Sequence, residues 1–378
     1  MRIVHVEDHF DPSAGYQINE LLLASKNFDD DVYLLSSTDM SPFHKLYDSK
    51  MDEAYEKKTG VKIIRLKVKF RMSSRIIMEN YSKIIEDLNP DLVYLHGIGD
   101  FKDLVLWRKK KPYKIVRDCH MSWVASRNRL RKLYYIFFRL FFANKINNTN
   151  KYEKVYALGL EEWEYLNRLG VNDEKIQLLP HGYSDETMYF DYSSRVSLRK
   201  HYNINENEIL ISYIGKFNMY KRPDLILKMV EQLLLYNNNL KINLLFIGSK
   251  EPKYMDSVFL PKYNQLRNRV NIILDDAKEY EELYKYFSTS DICIFPKETS
   301  LSSIHAQVCG CKVIMENHKS NSERVIDKST LFEVDDLEGA SNILMNLIEN
   351  HNHDRPDFIK QLKHLEYKNQ FNKIKENL

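Results

Sequence analysis

The chain has 378 residues, of which 43% are hydrophobic and 29% are charged, and its formal net charge is +3. This length predicts two domains, and the composition is that of a globular chain rather than a disordered one. The small net charge argues against a nucleic-acid-binding polycation, and no nucleic-acid-binding module is visible.

Neither a membrane helix nor a secretion signal is predicted. No window approaches the run of about 20 apolar residues that a membrane span requires. The N-terminus, MRIVHVEDH, begins as a strand rather than as a signal peptide. The four cysteines, Cys119, Cys293, Cys309 and Cys311, form no CxxC pair. We therefore expect reduced core thiols in a cytoplasmic protein, and any membrane contact to be peripheral.

Strand-like apolar runs alternate with helical periodicity along the first half of the chain. Predicted strands are Ile3–Val6, Val32–Leu35, Val61–Leu66, Leu92–Leu95, Lys114–Val116, Val155–Leu158 and Ile176–Leu179. Predicted helices are Ile18–Ala24, Ser74–Leu88, Asn128–Ile146 and Glu161–Leu169.

The second half repeats this scheme. Predicted strands are Ile209–Ile214, Ile242–Ile247, Val270–Leu274, Ile292–Phe295, Val313–Met315 and Leu331–Val334. Predicted helices are Pro223–Leu235, Ser257–Arg267, Glu279–Phe287, Ser303–Val308 and Glu338–Glu349.

Two alternating series predict an α/β protein with two Rossmann-like, doubly wound parallel-sheet domains. We assign residues 1–188 to the first domain and 189–355 to the second. The polar stretch His181–Arg195 is the expected hinge. Residues 356–378 form a predicted helical tail that could pack back on the first domain. Ligands of such sheets bind at the carboxyl ends of the strands, so we expect the site in a cleft between the domains.

The stretch YIGKFNMYKRPDL places positive charge at the end of a buried strand. Gly215 ends the strand, Lys216 and Lys221 follow in the loop, and Pro223 suits the first turn of a helix. Lysines beside a helix N-terminus are typical of a phosphate site. The structural alternative is a solvated basic turn.

Two other loops carry polar groups where strands end. Ser13-Ala14-Gly15 precedes an amphipathic helix, but it forms neither a G-x-G-x-x-G motif nor a P-loop. In IFPKETSLSSIHAQVCGCKVI, Glu298 follows a strand and several hydroxyl groups precede a helix. These hydroxyls are candidates to cap the helix, and Glu298 to pair with its dipole. Alternatively, Glu298 binds hydroxyl groups of a polar ligand.

Taken in order, these segments resemble the GT-B glycosyltransferases, specifically the retaining group called family 4. The resemblance spans nearly the whole chain. It is carried by IVHVEDHFDPSAGYQINELLLAS, LVYLHG, IVRDCH, EKIQLLPHGYSDETMY, YIGKFNMYKRPDLIL and DICIFPKETSLSSIHAQVCGCKVI.

The resemblance implies a catalytic set and a donor-binding set. Lys216 and Lys221 match the cations that hold the donor diphosphate, and Glu298 is our candidate for the carboxylate that binds the donor. His120 matches the histidine that contacts the transferred sugar, although a lone histidine at a strand end is as often structural. The implied donor-binding residues are Gly15, Gly215, Ser300, Leu301, Ser302 and His305.

The chain departs from the family at two of these positions. His305 stands where the family has the glutamate that binds the donor ribose, and Glu298 lies one position out of the usual spacing. Lys216 replaces the commoner arginine, which keeps the charge but loses bidentate geometry.

A basic, aromatic segment lies in the first domain. Between Arg108 and Lys151 there are thirteen lysines and arginines and a single acid, Asp118. Its stretch SRNRLRKLYYIFFRLFFANK has a helical pattern, and half of it is expected in the core. A basic amphipathic helix is also typical of a protein that binds an anionic membrane surface. The predicted residues on the acceptor or membrane side are Arg127, Arg129, Arg131, Lys132 and Arg139.

We therefore predict a retaining glycosyltransferase that moves a sugar from a nucleotide-diphosphate sugar to a glycan or lipid-linked acceptor. The expected pathway is cell-surface polysaccharide or glycoconjugate synthesis, at the inner face of the membrane. The resemblance implies no metal, no cofactor beyond the nucleotide sugar as co-substrate, and no dedicated general base. One alternative is a noncatalytic GT-B subunit that binds a partner or a glycan. Another is a nucleotide-sugar epimerase, for which His9, Asp118, His120 and His181 are candidate proton-transfer residues.

Overall fold

A computed structural model describes residues 1–41, 45–72, 75–102, 106, 113–120, 131–238, 240–352 and 355–376. The chain forms two compact units. The N-terminal unit is Met1–His181 together with the C-terminal helix Tyr367–Glu376, and the C-terminal unit is Gly182–Glu366. The first unit thus ends before residue 188. The predicted tail is divided between the two units, because its last helix alone lies in the N-terminal one.

The N-terminal unit is built on a seven-stranded parallel sheet. Its strands and the adjoining hairpin are β1 (Arg2–Glu7), β2 (Asp31–Ser37), β3 (Lys62–Leu66), β4 (Val68–Met72), β5 (Arg75–Met78), β6 (Leu92–Leu95), β7 (Lys114–Cys119), β8 (Tyr152–Ala157) and β9 (Ile176–Leu178). The sheet order is β3-β2-β1-β6-β7-β8-β9, and β4 and β5 pair antiparallel beside it. The central strands carry continuous apolar runs because helices cover both faces of such a sheet.

The helices of this unit alternate with the strands. They are α1 (Gln17–Ser25), α2 (Ser49–Thr59), α3 (Tyr81–Leu88), α4 (Arg131–Phe138) and α5 (Leu160–Leu169). After Phe138, helix α4 continues through a π-helical turn, Arg139–Ala143, into Asn144–Asn148.

The C-terminal unit has a six-stranded parallel sheet. Its strands are β10 (Ile209–Ile214), β11 (Ile242–Ile247), β12 (Asn271–Asp275), β13 (Ile292–Phe295), β14 (Lys312–Glu316) and β15 (Leu331–Phe332), in the order β12-β11-β10-β13-β14-β15. Its longer helices are α6 (Tyr192–His201), α7 (Asp224–Tyr236), α8 (Leu260–Leu266), α9 (Leu283–Thr289), α10 (Ser302–Val308) and α11 (Leu337–Glu349). Short helical turns lie at Pro252–Tyr254, Lys319–Ser322 and Ile359–Leu362, and a π-helical turn, Met255–Phe259, leads into α8. We label the C-terminal helix Tyr367–Glu376 α12.

Two doubly wound parallel sheets confirm the predicted fold class. Every predicted strand exists, within a few residues at its ends. Three local predictions are wrong. The first half of the predicted helix Ser74–Leu88 is strand β5, helix α2 was not predicted, and α6 occupies the end of the expected hinge.

Parallel pairing brings particular residues to one edge of each sheet. In the N-terminal unit, β1, β6 and β7 end at or just before Glu7, His96 and His120. In the C-terminal unit, β10 and β11 end just before Gly215 and Gly248. These edges are where ligands of such sheets bind.

The four cysteines are buried and free, as expected for core thiols. Among the described helices, none combines the length and apolar character that crossing a bilayer requires.

Candidate functional site

The lysine loop of the C-terminal unit begins where two backbone segments touch. The N–H of Gly215 donates to the carbonyl oxygen of Ile247 at 2.9 Å. The carbonyl oxygen of Gly215 lies against Gly248, whose φ is 148°, and a Cβ at Gly248 would overlap that oxygen. Gly248 therefore has to be glycine, and the sequence analysis did not single it out, although FIGSK repeats the strand-then-glycine pattern of YIGK.

Lys221 is half-buried, and main-chain oxygens hold its ammonium group. It donates to the carbonyl oxygens of Glu298 and Thr299, in the loop after β13. Its backbone N–H donates to the side-chain oxygen of Asn218 at 2.9 Å. The structure thus brings the lysine loop and the Glu298 loop together, as the resemblance implied.

Charges of both signs surround Lys221. Burial lowers the pKa of Lys221 to about 8; the Glu298 carboxylate opposes this shift, and the nearby cations Arg324 and Lys216 add to it. Lys216 is exposed, and its ammonium has no hydrogen-bond or ion-pair partner among the residues that the structure describes. Arg324 was missed in the sequence, because it follows β14 and the turn Lys319–Ser322, far along the chain from either lysine.

Arg222, the remaining cation of the loop, has a structural role. Its guanidinium forms two hydrogen bonds with the carboxylate of Asp224, at 2.7 and 2.8 Å, at the start of α7. Its φ of 49° places it in the left-handed region. The cations that face Lys221 are therefore Lys216 and Arg324.

The Glu298 loop is half-buried as far as Ser302. The hydroxyl of Ser300 accepts the N–H of Ser302 at 3.3 Å, and the carbonyl of Ser300 accepts the hydroxyl of Ser303 at 2.7 Å. Leu301 is the residue that precedes α10. No serine side chain among the described residues caps the N-terminus of α10, since the N-cap residue is Leu301, so the expected capping role is wrong. The contact of these serines with a donor stays a prediction.

His305 lies inside the C-terminal unit, only 2% exposed. Its ring packs edge-on against Tyr280 and Phe287, with centroids 5.8 and 6.3 Å away. Burial lowers the pKa of His305 to about 4, although a hydrogen bond with the backbone of Gly182 opposes the shift. His305 is therefore a neutral, buried histidine in this structure.

Gly15 lies in an ordered loop before α1, with φ 60°. The side chain of Asn19 accepts the N–H of Tyr16 at 3.1 Å and donates to the carbonyl of Asp11 at 2.9 Å. Beside this loop, Gln17 is 4% exposed, and neither atom of its amide has a hydrogen-bond partner among the described residues. A buried amide without partners is costly, which makes Gln17 an unexpected feature of the loop.

His120 is joined to a buried polar chain at the edge of the N-terminal sheet. Its Nε2 lies 2.9 Å from Oδ1 of Asp118, and Nδ1 of His96 lies 2.7 Å from Oδ2 of the same carboxylate. Nε2 of His96 lies 2.9 Å from Nδ1 of His5. His5, His96 and Asp118 are buried, whereas the side chain of His120 is 42% exposed.

Within this buried polar chain, Asp118 and His120 shift each other's pKa. Burial disfavours the ionised carboxylate of Asp118, but the His120 and His96 rings beside it overcome that effect and hold the pKa of Asp118 well below its usual range. Burial likewise disfavours a charged His120 ring, and the Asp118 carboxylate overcomes it, so the pKa of His120 is raised. The sequence analysis selected His120 but not its connection to His96.

A second buried network, made of ion pairs, lies at the same edge of the N-terminal sheet. The ammonium of Lys102 lies 3.0 Å from carboxylate oxygens of both Asp8 and Asp100. Arg117 contacts Asp100 at 2.8 Å and donates to the carbonyl of Gly97. Burial opposes the ionisation of Asp100, but the cations of Arg117 and Lys102 lower its pKa to about 2. The network fixes the loop after β6 that carries His96.

His96, Asp118 and His120 are also the described group whose ligand atoms lie close enough, within 4.8 Å of one another, to hold a metal ion. Their separations of 2.7 and 2.9 Å are hydrogen-bond distances, with a proton between each ring and the carboxylate. A hydrogen-bonded chain explains the cluster without an ion.

The basic aromatic segment is described from residue 131. Arg127 and Arg129 lie outside the described residues, as does the side chain of Arg131. Lys132 and Arg139 are exposed, and Arg139 donates to the carbonyl of Arg168 at 2.8 Å. Large apolar side chains of this helix are also exposed, by 48% to 66%: Leu133, Ile136, Phe137, Leu140 and Phe141. We call these five residues the apolar ridge. The opposite face, which includes Phe138 and Phe142, is core.

Comparisons with known proteins agree with this architecture. The family described as glycosyl transferases group 1 matches residues 194–364. No curated protein sequence matches the chain.

Solved structures are similar over the whole chain. Sucrose-phosphate synthase from Thermosynechococcus elongatus is 16% identical with a TM-score of 0.68, covering 99% of this chain and 97% of that one. HepE from Anabaena, in complex with UDP and glucose, is 13% identical with a TM-score of 0.70, covering 100% and 98%. A glycosyltransferase from Rickettsia africae is 13% identical with a TM-score of 0.74, covering 99% and 97%.

The matched residues coincide with the unit that carries Lys216, Lys221 and Arg324, and the structural likeness extends over both units. The C-terminal unit therefore matches the glycosyl transferases group 1 family over residues 194–364, and the chain has the two-unit GT-B fold.

Proposed function

We propose that this chain is a retaining glycosyltransferase of family 4 that takes its sugar from a nucleotide-diphosphate sugar. The observation that carries the proposal is the group of cations around Lys221, at the carboxyl end of β10. Lys216 and Arg324 lie close enough to Lys221 for both cations to lower its pKa, and Glu298 lies beside them. A diphosphate is the ligand class whose charge such a group complements.

The cations also suit the chemical step. As the bond between the sugar and the diphosphate breaks, negative charge grows on the leaving oxygens. Groups that stabilise charge where it develops usually contribute most to catalysis. Lys216, Lys221 and Arg324 supply this charge without a metal, and metal independence is part of the proposal. The leaving phosphate accepts the proton of the acceptor on the same face of the sugar, so the anomeric configuration is retained.

A UDP-sugar is the first donor to test. HepE, of similar fold, was solved with UDP, with UDP and glucose, and with UDP-glucose. Gly215 and Gly248 lie in backbone contact next to the lysine loop. Glycines at strand ends let a nucleotide approach the main chain, and we propose that role for Gly215. Gly15 is proposed to play the same part in the N-terminal unit.

We propose a lipid-linked glycan as the acceptor, presented at the inner face of the membrane. The apolar ridge and the exposed cations Lys132 and Arg139 lie on one helix of the N-terminal unit, the unit to which the acceptor is assigned. Exposed apolar side chains beside cations are typical of a helix that lies in an anionic bilayer surface. A structural relative, WaaB, is a galactosyltransferase of the lipopolysaccharide outer core. Cell-surface polysaccharide or glycoconjugate synthesis is the proposed pathway.

The first experiment measures ligand binding and turnover by the purified chain. UDP-, GDP- and ADP-sugars are compared by thermal shift, because a ligand at about 100 times its Kd adds about 2.7 kcal/mol of stability. Lys216→Ala and Lys221→Ala should abolish the shift of the best ligand. Lys241→Ala, at an exposed lysine of the same unit, is the matched control and should keep it. A shift that survives both loop substitutions would remove the proposed diphosphate site.

The chemical outcome is measured separately. NMR of the product should show the anomeric configuration of the donor, and EDTA should not lower the rate. Inversion of configuration, or loss of turnover with EDTA that added Mg²⁺ restores, would contradict the mechanism.

A noncatalytic GT-B subunit remains the second candidate, on one specific observation. His305, which replaces the carboxylate that binds ribose in the family, is buried and neutral. Binding of a nucleotide without turnover, in the presence and absence of other chains of the pathway, would favour this alternative.

A further inference from the structure

The hydrogen bonds of the buried chain determine where its protons lie. The ionised carboxylate of Asp118 can only accept, so Nδ1 of His96 and Nε2 of His120 both carry protons directed at it. Nε2 of His96 then accepts a hydrogen bond from Nδ1–H of His5. The other nitrogen of His5, Nε2, is buried and has no partner among the described residues. A lone pair there costs less than an unpaired N–H, so His5 is neutral with its proton on Nδ1.

Hydrogen bonds anchor the carboxylate from several sides. Oδ1 of Asp118 also accepts the N–H of Gly97 at 2.6 Å, in the loop after β6. His5 and His96 stack on the ring of Tyr94, with centroids 5.2 and 4.2 Å away. The chain is therefore fixed at every member except the outermost one, His120. A carboxylate held in this way keeps its charge and its direction.

The remaining groups that face His120 come from four other elements. They are Glu7 at the end of β1, His96 after β6, Glu162 in α5, and His181 after β9, whose ring lies 6.3 Å away. Glu7 and Glu162 add negative potential to that of Asp118 and favour a charged ring. The other ring in contact with the carboxylate is that of His96, which is neutral because its Nε2 accepts a hydrogen bond from His5.

We propose that His5, His96 and Asp118 are positioning residues that hold His120 as an imidazolium, so that His120 presents Nδ1–H to the substrate as a cationic donor. This inference rests on the proposed function only for the identity of the substrate, a nucleotide-diphosphate sugar. It assigns His120 the opposite role to that of a general base, because a ring that is already protonated at both nitrogens cannot accept the acceptor's proton. Nδ1–H would donate to an oxygen of the sugar or of the departing phosphate.

The first test needs no variant and no substrate. The unliganded protein is labelled with ¹⁵N-histidine, and long-range ¹H–¹⁵N spectra give the protonation of each ring nitrogen as pH varies. We expect His5 and His96 to carry the proton on Nδ1, the tautomer that free histidine disfavours, and His120 to be charged above the usual titration range of about pH 6.5. Nε2–H tautomers at both His5 and His96, or a His120 ring that is neutral at pH 6.5, would overturn the inference.

The second test follows the pH profile of turnover. The rate should fall as pH rises through the titration of His120, whereas a general base would make it rise. Lys221 also loses its proton near pH 8, so the variant Asp118→Asn separates the two groups. Loss of the carboxylate should move the falling limb of His120 by at least about one pH unit toward acid, which is tenfold less imidazolium at a fixed pH. Asp87→Asn, at an exposed carboxylate of the same unit, should leave the profile unchanged.

If the falling limb of the pH profile does not shift in Asp118→Asn, the proposed role of the hydrogen-bonded chain is contradicted. Should that variant not fold, the tautomers of the unsubstituted protein still decide the question. Failure of the proposed function looks different, since no nucleotide sugar would then be turned over while the predicted tautomers persist.

Discussion

At the scale of single residues, the charge of Lys221 is proposed to bind the nucleotide, but burial of that charge lowers the stability of the folded protein. Its pKa is about 8 in the folded chain and 10.5 in the unfolded one. Below pH 8 both states are protonated and the cost of burying the charge is fully present. Between pH 8 and 10.5 the unfolded chain binds more protons, so the free energy of unfolding rises with pH.

Lys221→Met should therefore stabilise the unliganded protein at pH 7 while it abolishes binding of UDP. We expect a gain of about 1 kcal/mol, which is roughly 2–4 °C in Tm for a unit of this size. Thermal denaturation with and without UDP measures both effects. Lys216→Met is the matched control: it should also lose UDP, but with no gain in Tm, because Lys216 is exposed. A lower Tm for Lys221→Met would show that its two carbonyl contacts outweigh the burial of its charge.

Gly248 should tolerate no side chain. Gly248→Ala places a methyl group onto the carbonyl oxygen of Gly215, so the two strand ends must separate. We expect a loss of about 3 kcal/mol, together with weaker UDP binding. Gly60→Ala is a sharp control, because φ there is also positive, at 77°, but no atom lies within 4 Å of the added Cβ. It should cost only about 1–2 kcal/mol, measured by urea denaturation. Equal costs would mean that backbone conformation, not the contact with Gly215, requires glycine.

The sequence pattern singled out Gly215 and Lys216 because they directly follow a predicted strand, and Lys221 because it lies in the same basic loop, whereas His120 was selected through the family resemblance. Sequence patterns could not locate Arg324 or the contact of His96 with Asp118. These groups meet through the order of the strands in the sheet, in which β6 lies between β1 and β7. That order is not encoded in any short segment, whereas Gly248 does have a local signal, the strand-then-glycine pattern of FIGSK.

At the scale of elements, the apolar ridge of α4 is an exposed surface whose proposed membrane binding can be tested. Its five side chains recur with helical spacing and are exposed, whereas Phe138 and Phe142 are buried on the other face. An exposed apolar patch of this kind usually marks an interface. Leu133→Ser, Ile136→Ser and Leu140→Ser together should reduce flotation with anionic liposomes at least tenfold, since each change removes apolar area that would enter the bilayer.

The same triple variant should keep its Tm, because the ridge contributes nothing to the core. Changing Arg129, Arg131 and Lys132 to Glu should weaken flotation in a salt-dependent way and leave binding to neutral vesicles unaltered. A variant that floats as well as the unsubstituted protein would remove the membrane role. A change in oligomeric state instead would identify the ridge as a contact between copies of the chain.

The elements that sequence analysis missed are those whose stability comes from particular polar contacts. Helix α6 reads as a polar linker, yet Arg195 and Arg199 are buried and pair with Asp291 at 2.7 and 3.2 Å. Helix α2 is polar over most of its surface and is capped by Asp48. Its buried Tyr55 donates to the carbonyl of Asn19 at 2.7 Å. Buried strands, by contrast, are visible in the sequence as apolar runs. This explains why every strand of the two parallel sheets was predicted.

At the scale of the whole molecule, the chain leaves the N-terminal unit at His181 and returns to it at Tyr367. Helix α12 completes a core that begins with α1, since Tyr367, Phe371 and Ile374 are at most 2% exposed within the cluster that contains Leu21 and Leu22. Polar side chains of α12 also contact other residues of the N-terminal unit. Gln370 donates to the carbonyl of Pro180 at 2.8 Å, and Lys375 pairs with Asp30.

Removal of α12 should therefore destabilise the N-terminal unit, although α12 is far from the rest of that unit in sequence. The C-terminal unit should keep its stability. Burial of each of its three apolar side chains is worth about 2–3 kcal/mol, so ending the chain after Glu366 should cost the N-terminal unit about 6–9 kcal/mol. That loss is comparable with the whole stability of a domain. Calorimetry should show the transition of the N-terminal unit lowered or lost, while that of the C-terminal unit, with its UDP-dependent shift, is unchanged. Loss of the UDP shift in the truncated chain would show instead that the nucleotide site depends on both units.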